Sequence, residues 1–312
     1  MTDPLSQCPT ELAADSPYDV LGNRTRLEIL LALWVAHEPP GPREGLSFSE
    51  LYDNVDFDDT GNFSYHLEKL QGDFIKDSID GYFLTINGLR LVRTFITGEL
   101  ANSTSLDRTP IEECCPICGA NLSITYHKQQ LIARCDDCPG IRRSPDGEGV
   151  VFQCTLPPVG VTGRNPTAVF RRGVTYELHR IESFLRNVCP RCAGDVQLSV
   201  SGCFTHDTTT EGLCTECDRI NLVDVVGVCR QCKTFGRSPV ALAVLANPVV
   251  RFRLDADLRS EPFATWSSVH RAFGFAERIE QTEPVHVGVQ IPAKEDGMNV
   301  IVDESCSVVE IV

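Results

Sequence analysis

Ten of the fifteen cysteines stand in Cys-x-x-Cys pairs, and that spacing is the feature of the chain most able to do chemistry. Two residues between thiols let one tight turn aim both sulfurs at a single ion. Tetrahedral zinc takes four soft ligands at about 2.3 Å, so two such turns at the ends of a hairpin supply a full set. Cys115, Cys118, Cys135 and Cys138 form C-x2-C-x16-C-x2-C, with two short strand-like runs between the pairs. A second constellation holds Cys189/Cys192, Cys214/Cys217 and Cys229/Cys232, with Cys203 and His206 between the first two pairs. Its first two pairs make C-x2-C-x21-C-x2-C, the preferred second site. Cys229/Cys232 competes: it can replace the middle pair, or bind a further ion with help from His206 and Cys203. The expectation is two structural zinc ions. Redox chemistry fits poorly, because such motifs occur once per βαβ unit and open a helix, whereas these pairs are multiple and flanked by strands. Closed four-thiolate sites also lack the open position of catalytic zinc. Cys114 reads as a spare thiol, and Cys8, Cys154 and Cys306 carry no assigned role.

The surroundings favour metal over disulfides. The acidic start, Met1-Thr2-Asp3-Pro4, lacks a basic region followed by an apolar core, so no secretory signal is read there. The nearest approach to a membrane span, Val240 to Val250, is short and broken by Asn247-Pro248. A cytoplasmic protein is expected, and in a reducing compartment cysteine spacing is read for metal first. The formal charge is −15, and only five of the 28 basic residues are lysine. An acidic, lysine-poor chain with 42% apolar residues suits a halophilic cytoplasm, where carboxylates keep the surface hydrated and salt screens their repulsion.

The elements that must carry these residues divide the chain. Residues 1–15 read as an acidic lead-in and 16–99 as a helical domain with one hairpin. Residues 100–112 read as a polar linker, 113–150 as a first zinc ribbon and 151–188 as a connecting strand and helix. A second ribbon spans 189–239. An α/β segment, 240–312, has helical pattern around Trp266 and Phe273 and β-type runs at Val285–Ile291, Asn299–Val302 and Ser307–Val312. A weak internal repeat joins the ribbons: Cys115-Pro-Ile-Cys118-Gly-Ala-Asn-Leu returns as Cys189-Pro-Arg-Cys192-Ala-Gly-Asp-Val.

In the first domain, Asn23 to Ala36 predicts a helix capped by Asn23, with Leu27, Leu30, Leu31 and Trp34 on one face. Ser47 and Glu50 predict a capping box on a short helix that buries Leu51 and Val55. Asp56–Gly61 is a turn. Asn62 to Leu70 is a helix burying Phe63, Leu67 and Leu70. Phe74 to Ile86 is a hairpin around Asp80-Gly81, and Asn87 to Ile96 is a closing helix. This order, with Leu21-Gly-Asn-Arg-Thr-Arg-Leu-Glu-Ile-Leu30, Ser47-Phe-Ser-Glu-Leu51 and Phe63-Ser-Tyr-His-Leu-Glu-Lys-Leu70, resembles the ArsR-like winged helix-turn-helix transcription regulators, in the halophilic-archaeal form with appended zinc ribbons. The resemblance covers about residues 16–99 well and the cysteine-rich region more loosely. It implies a recognition helix in the DNA major groove, where Asn62, Ser64, Tyr65 and Lys69 meet bases or phosphates and Lys76 on the wing adds a contact. His66 fits the same pattern, or is a structural, hydrogen-bonded residue.

The expected fold is therefore α+β: a winged helix-turn-helix, two small zinc-ribbon β modules and an α/β C-terminal segment. The expected function is transcriptional regulation on double-stranded DNA, with the C-terminal segment a candidate for homodimer or partner contact. One feature departs from the family. Residues 1–100 hold 7 basic and 17 acidic side chains, where a DNA-binding domain should show a basic footprint. At molar salt the counterion-release term is small, which lessens the need for one. The competing reading is a zinc-ribbon interaction factor whose winged helix contacts protein. Cysteine-based metal sensing in this domain is excluded, because residues 16–99 contain no cysteine. No Ser/His/Asp set, phosphate loop or paired-carboxylate motif points to an enzyme or a small-molecule substrate.

Overall fold

The computed structural model describes residues 22–37, 45–55, 57–99, 104–143, 149–204, 213–214, 216, 219–220, 223–254, 265–266, 269, 272, 275–292 and 297–312. The chain separates into two compact units, Met1–Ala101 and Asn102–Val312. Among the described residues the fold is α+β, with seven α-helices and antiparallel sheets of two, seven, three and four strands.

The first unit opens with α1 (Arg24–Val35), where the Asn23 side chain accepts from the Arg26 amide at 3.2 Å. Its buried residues are Ile29, Leu30 and Leu33, while Leu31 is exposed, so the inward face is rotated from the expected one. The sequence Leu-Glu-Ile-Leu-Leu-Ala-Leu-Trp-Val is apolar nearly all round, so its neighbours rather than its periodicity choose the face. Next comes α2 (Phe48–Asn54), with the capping box formed: the Ser47 amide donates to Glu50 Oε2 at 2.8 Å and the Glu50 amide to Ser47 Oγ at 3.3 Å. Leu51 and Val55 are buried beneath it. Helix α3 (Thr60–Leu70) starts two residues earlier than expected. The Asp59 carboxylate accepts from the Gly61 and Asn62 amides at 2.9 and 3.2 Å, and a charged cap outcompetes the later start.

Strands β1 (Ile75–Ser78) and β2 (Gly81–Leu84) follow, with Ser78 opposite Gly81. The turn residues are thus Ile79-Asp80, one place before the expected pair, and Gly81 (φ 104°) opens β2. Leu46 forms a bridge to Tyr82 and widens this hairpin. Helix α4 (Ile86–Ile96) is capped by Thr85, whose Oγ1 accepts from the Gly88 amide at 3.1 Å. One apolar core unites these elements, with Phe63, Leu51, Leu70 and Ile75 at its centre.

The second unit begins with β3 (Leu106–Cys114), so residues 106–112 belong to a strand and not to the expected linker. The strand is an edge of its sheet, where Pro110 costs no ladder hydrogen bond. Its polar residues face solvent while Ile111 is buried, and that one-sided exposure made it read as linker. Strands β4 (Asn121–His127), β5 (Gln130–Cys135), β6 (Arg142–Arg143) and β7 (Gly149–Thr155) continue the chain. They precede the twenty-residue α5 (Pro166–Leu185). Then come β8 (Val196–Ser201), β9 (Leu213–Cys214), β10 (Arg219–Ile220), β11 (Asp224–Cys229) and β12 (Phe235–Pro239). The seven-stranded order is β3-β4-β5-β7-β6-β10-β9, and the three-stranded order is β12-β11-β8.

The stretch read as the nearest approach to a span is two helices, α6 (Val240–Ala246) and α7 (Pro248–Arg253). Asn247 ends the first and caps the second, accepting from the Val249 amide at 2.9 Å. No helix among the described residues is long and apolar enough to cross a membrane. The chain closes in a four-stranded meander: β13 (Ala276–Thr282), β14 (Val285–Ile291), β15 (Met298–Asp303) and β16 (Val308–Ile311). The helical pattern around Trp266 and Phe273 lies largely outside the described residues. Within this unit one core runs from Leu122 and Tyr126 through Phe170 and α6 to Val287 and Val300, so the C-terminal segment packs into the cysteine-rich region.

Candidate metal centres

Two groups of four cysteines converge, each with its sulfurs within 4.8 Å of one another: Cys115, Cys118, Cys135, Cys138, and Cys189, Cys192, Cys229, Cys232. In the first, Cys115 and Cys138 sulfurs lie 3.6 Å apart and those of Cys118 and Cys135 3.5 Å. In the second, Cys189–Cys232 and Cys192–Cys229 are both 3.6 Å and Cys192–Cys232 is 3.4 Å. A tetrahedron with metal–sulfur bonds of about 2.3 Å has sulfur–sulfur edges of roughly 3.8 Å, so both clusters could hold a metal ion after slight expansion. Four thiolates favour a soft cation, and the closed set leaves no position for substrate.

The second cluster corrects the preferred ligand set. Cys229/Cys232 complete it, and Cys214 lies elsewhere, its sulfur 3.4 Å from that of Cys203. Cys217 and His206 fall outside the described residues. The reason is strand pairing. In the first cluster Leu122, four residues after Cys118, pairs with Cys135; in the second Val196, four residues after Cys192, pairs with Cys229. Each cluster is a knuckle, a strand and its antiparallel partner ending in the next knuckle. A third strand, β7 or β12, pairs with the far edge of that partner. The internal repeat is therefore structural, but its second copy carries residues 202–223 between its paired strands.

Three of the four knuckles share one hydrogen-bonded turn. The amides of Cys115, Cys189 and Cys229 donate to the carbonyls of Ala120, Gly194 and Thr234 at 2.7, 2.9 and 2.9 Å. The residue four places on, Gly119, Ala193 or Lys233, returns its amide to the cysteine carbonyl at 3.0, 2.9 and 3.2 Å. That residue is left-handed in every case, with φ 79°, 58° and 60°. The knuckle at Cys135 differs because Pro139 occupies the equivalent place and has no amide to return; the left-handed residue is Gly140, one later, at φ 65°.

Each cluster holds thiols shifted in both directions, Cys118 down and Cys135 up in the first, Cys232 down and Cys192 up in the second. Burial pushes the Cys135 thiol up to about 11, so deprotonating it depends on a cation. The Thr234 hydroxyl, 3.0 Å from the Cys232 sulfur, holds that thiol down to about 6. Around the first cluster Arg108 pairs with Asp136 and bonds Ser123 Oγ at 3.0 Å. The Trp266 indole N–H donates to the Cys114 carbonyl at 3.0 Å. Sequence reasoning missed two supports. Trp266 is one, and Gly149 is the other: a Cβ there would collide with the Cys138 carbonyl, so only glycine lets β7 pass under the knuckle.

In the first unit, Asn62, Tyr65 and Lys69 are exposed on α3, with Lys69 Nζ 5.9 Å from the Tyr65 ring centroid. Ser64 is half-buried and its hydroxyl donates to the Thr60 carbonyl at 3.0 Å. Lys76 is exposed on β1. Of the two readings of His66, the structure matches the structural one and not the DNA contact: it is buried, and Arg26 Nε donates to its Nδ1 at 3.3 Å. Burial first, and the Arg26 charge second, lower its pKa and favour the neutral ring that accepts this bond.

With this geometry in place, the chain belongs to the family described as a domain of unknown function, DUF7351, whose model matches residues 112–308. Residues 14–95 match a second domain of unknown function, DUF7347. No curated protein and no solved structure matches the chain. A single family model thus spans both cysteine clusters and nearly all of the C-terminal sheet.

Proposed function

We propose that the protein is a DNA-binding transcriptional regulator whose first unit is a winged helix-turn-helix and whose two cysteine clusters are structural zinc ribbons. The observation that carries the reading is the two-sidedness of α3. Phe63, Leu67 and Leu70 lock one face into the core, while Asn62, Tyr65 and Lys69 stand on the other. A rigid helix with an amide, a phenol and an ammonium on its free face suits a DNA groove, the amide reading adenine edges and the others anchoring phosphates. The hairpin beside it adds Lys76 as a wing contact. Zinc is the soft, redox-silent ion that closed four-thiolate sets favour, and here it shapes the fold instead of doing chemistry.

Electrophoretic mobility shift and genome-wide occupancy, run in multimolar potassium chloride, test the reading. Sequence-selective binding that falls at least tenfold in Asn62→Ala/Tyr65→Ala is the expected result. No selective binding in the intact chain overturns it. A second reading, a winged helix that contacts protein, is favoured by the 17 acidic against 7 basic residues in 1–100. Recovery of a stoichiometric partner from nuclease-treated extract, lost in the same variant, would select it.

A further inference from the structure

Among the described residues of 202–223, carried between β8 and β11, two further cysteines come together. Cys203 and Cys214 are both buried, and their sulfurs stand 3.4 Å apart. That is far from the about 2.05 Å of a disulfide. It matches the 3.4–3.6 Å separations inside the two clusters. Two thiols at ligand spacing are half of a tetrahedral site.

The inserted segment adds the outer edge of the seven-stranded sheet, where β9 ends the order. Cys214 lies on β9, which pairs with β10 through Arg219 with Cys214 and Ile220 with Leu213. The hairpin joins the seven-stranded sheet with Arg219 opposite Arg142. The sequence provides the other two ligands at knuckle spacing: Cys203-x2-His206 and Cys214-x2-Cys217. His206 and Cys217 lie outside the described residues and enter through spacing alone.

We propose that Cys203, His206, Cys214 and Cys217 form a third structural zinc site, of three thiolates and one imidazole, that fastens the β9–β10 hairpin. This separates the roles of the three knuckle pairs in the second constellation. Cys189/Cys192 and Cys229/Cys232 close one ion, and Cys214/Cys217 belongs to another with ligands from its own inserted segment. The imidazole makes the third site chemically distinct from the other two, since a neutral nitrogen leaves it one negative charge fewer.

Native mass spectrometry of the full chain, purified without added metal, reads the ion count of the folded species. Three zinc ions in the wild-type protein and two in compact Cys203→Ser/Cys214→Ser support the site. Two ions in the wild type overturn it while leaving the four-cysteine sites intact, and none overturns those as well. Three ions in the compact double variant also overturn it. Should that variant not fold, cobalt(II) titration of the wild-type apoprotein decides. A third equivalent whose d–d absorption lies to shorter wavelength than the first two supports the mixed site, and saturation at two equivalents refutes it.

Discussion

Cys115 and Cys135 belong to the main core of the second unit with Leu122, Ile124 and Phe170, whereas Cys189 and Cys229 sit in a small cluster with Phe184 and Val196. Sulfur spacing is alike in the two and three of the four knuckles share one turn, so the larger difference lies in what surrounds the ligands. An apolar side chain fully buried stabilises by about 2 kcal/mol. Phe184, Val196 and the partly buried Leu198 together fall short of the on the order of 10 kcal/mol that a structural ion contributes in a thiolate site. On the zinc-ribbon reading, the second cluster would depend on an ion for a core, whereas the first has a core of its own in which an ion would pin the knuckles at the rim.

Stripping metal should separate them most. Under a strong chelator, amide hydrogen exchange is expected to accelerate by several orders of magnitude at residues 188–198 and 227–237, while β4 and β5 keep most of their protection. Equal loss in both regions would erase the distinction. A smaller effect is aimed at the first cluster alone. Gly149→Ala pushes a methyl into the Cys138 carbonyl, and should lower the stability of metal-loaded protein by about 2 kcal/mol in denaturant titration, with the second cluster still filled.

Next comes the start of β11, the strand that carries Cys229. Glu277 accepts from the Val223 amide at 2.7 Å, and burial, opposed by that bond and aided by the Asp224 charge, pushes its carboxyl up to about 7. The folded state therefore holds this proton more tightly than the unfolded chain, so stability falls as pH rises from about 4.5 to about 7. Glu277→Gln removes that titration. Its stability relative to wild type should rise across this window by on the order of 1 kcal/mol, discounted for the partial exposure of the group. A pH-independent difference would contradict the assignment. The smallest effect compares the shared left-handed position. Ala193→Gly should stabilise the second cluster by about 0.5 kcal/mol, while Gly119→Ala should destabilise the first by about 1 kcal/mol. Thermal midpoints of the two single variants check both signs.

Local signals were the readable ones. The first cysteine set lies on one uninterrupted hairpin, and Asn23, Ser47 and Glu50 cap helices in the first unit through short-range bonds. What failed depends on distance along the chain. The partner of Cys189/Cys192 is chosen by β8 finding β11 across residues 202–223, which the nearer pair at Cys214 disguised. The inward face of α1 was hidden by a helix apolar on nearly every side. His66 stays open between two readings in the sequence because the bond from Arg26, forty residues earlier, that selects the structural one is not registered by periodicity. Gly149 was invisible for a similar reason: its neighbour is the carbonyl of Cys138, across a turn.

The bond from the Trp266 indole to the Cys114 carbonyl also makes the molecule its own optical probe. The chain has two tryptophans, Trp34 in the first unit and Trp266 in the second. Trp266 packs edge-on against Phe170 and Phe152 at centroid distances of 5.0 and 6.0 Å, one residue from the first ligand of the first cluster through its bond to Cys114. With Trp34 replaced by phenylalanine, the remaining fluorophore reports on the rim of that cluster alone. Its emission maximum and quenching would then follow metal filling of the first cluster separately from the second.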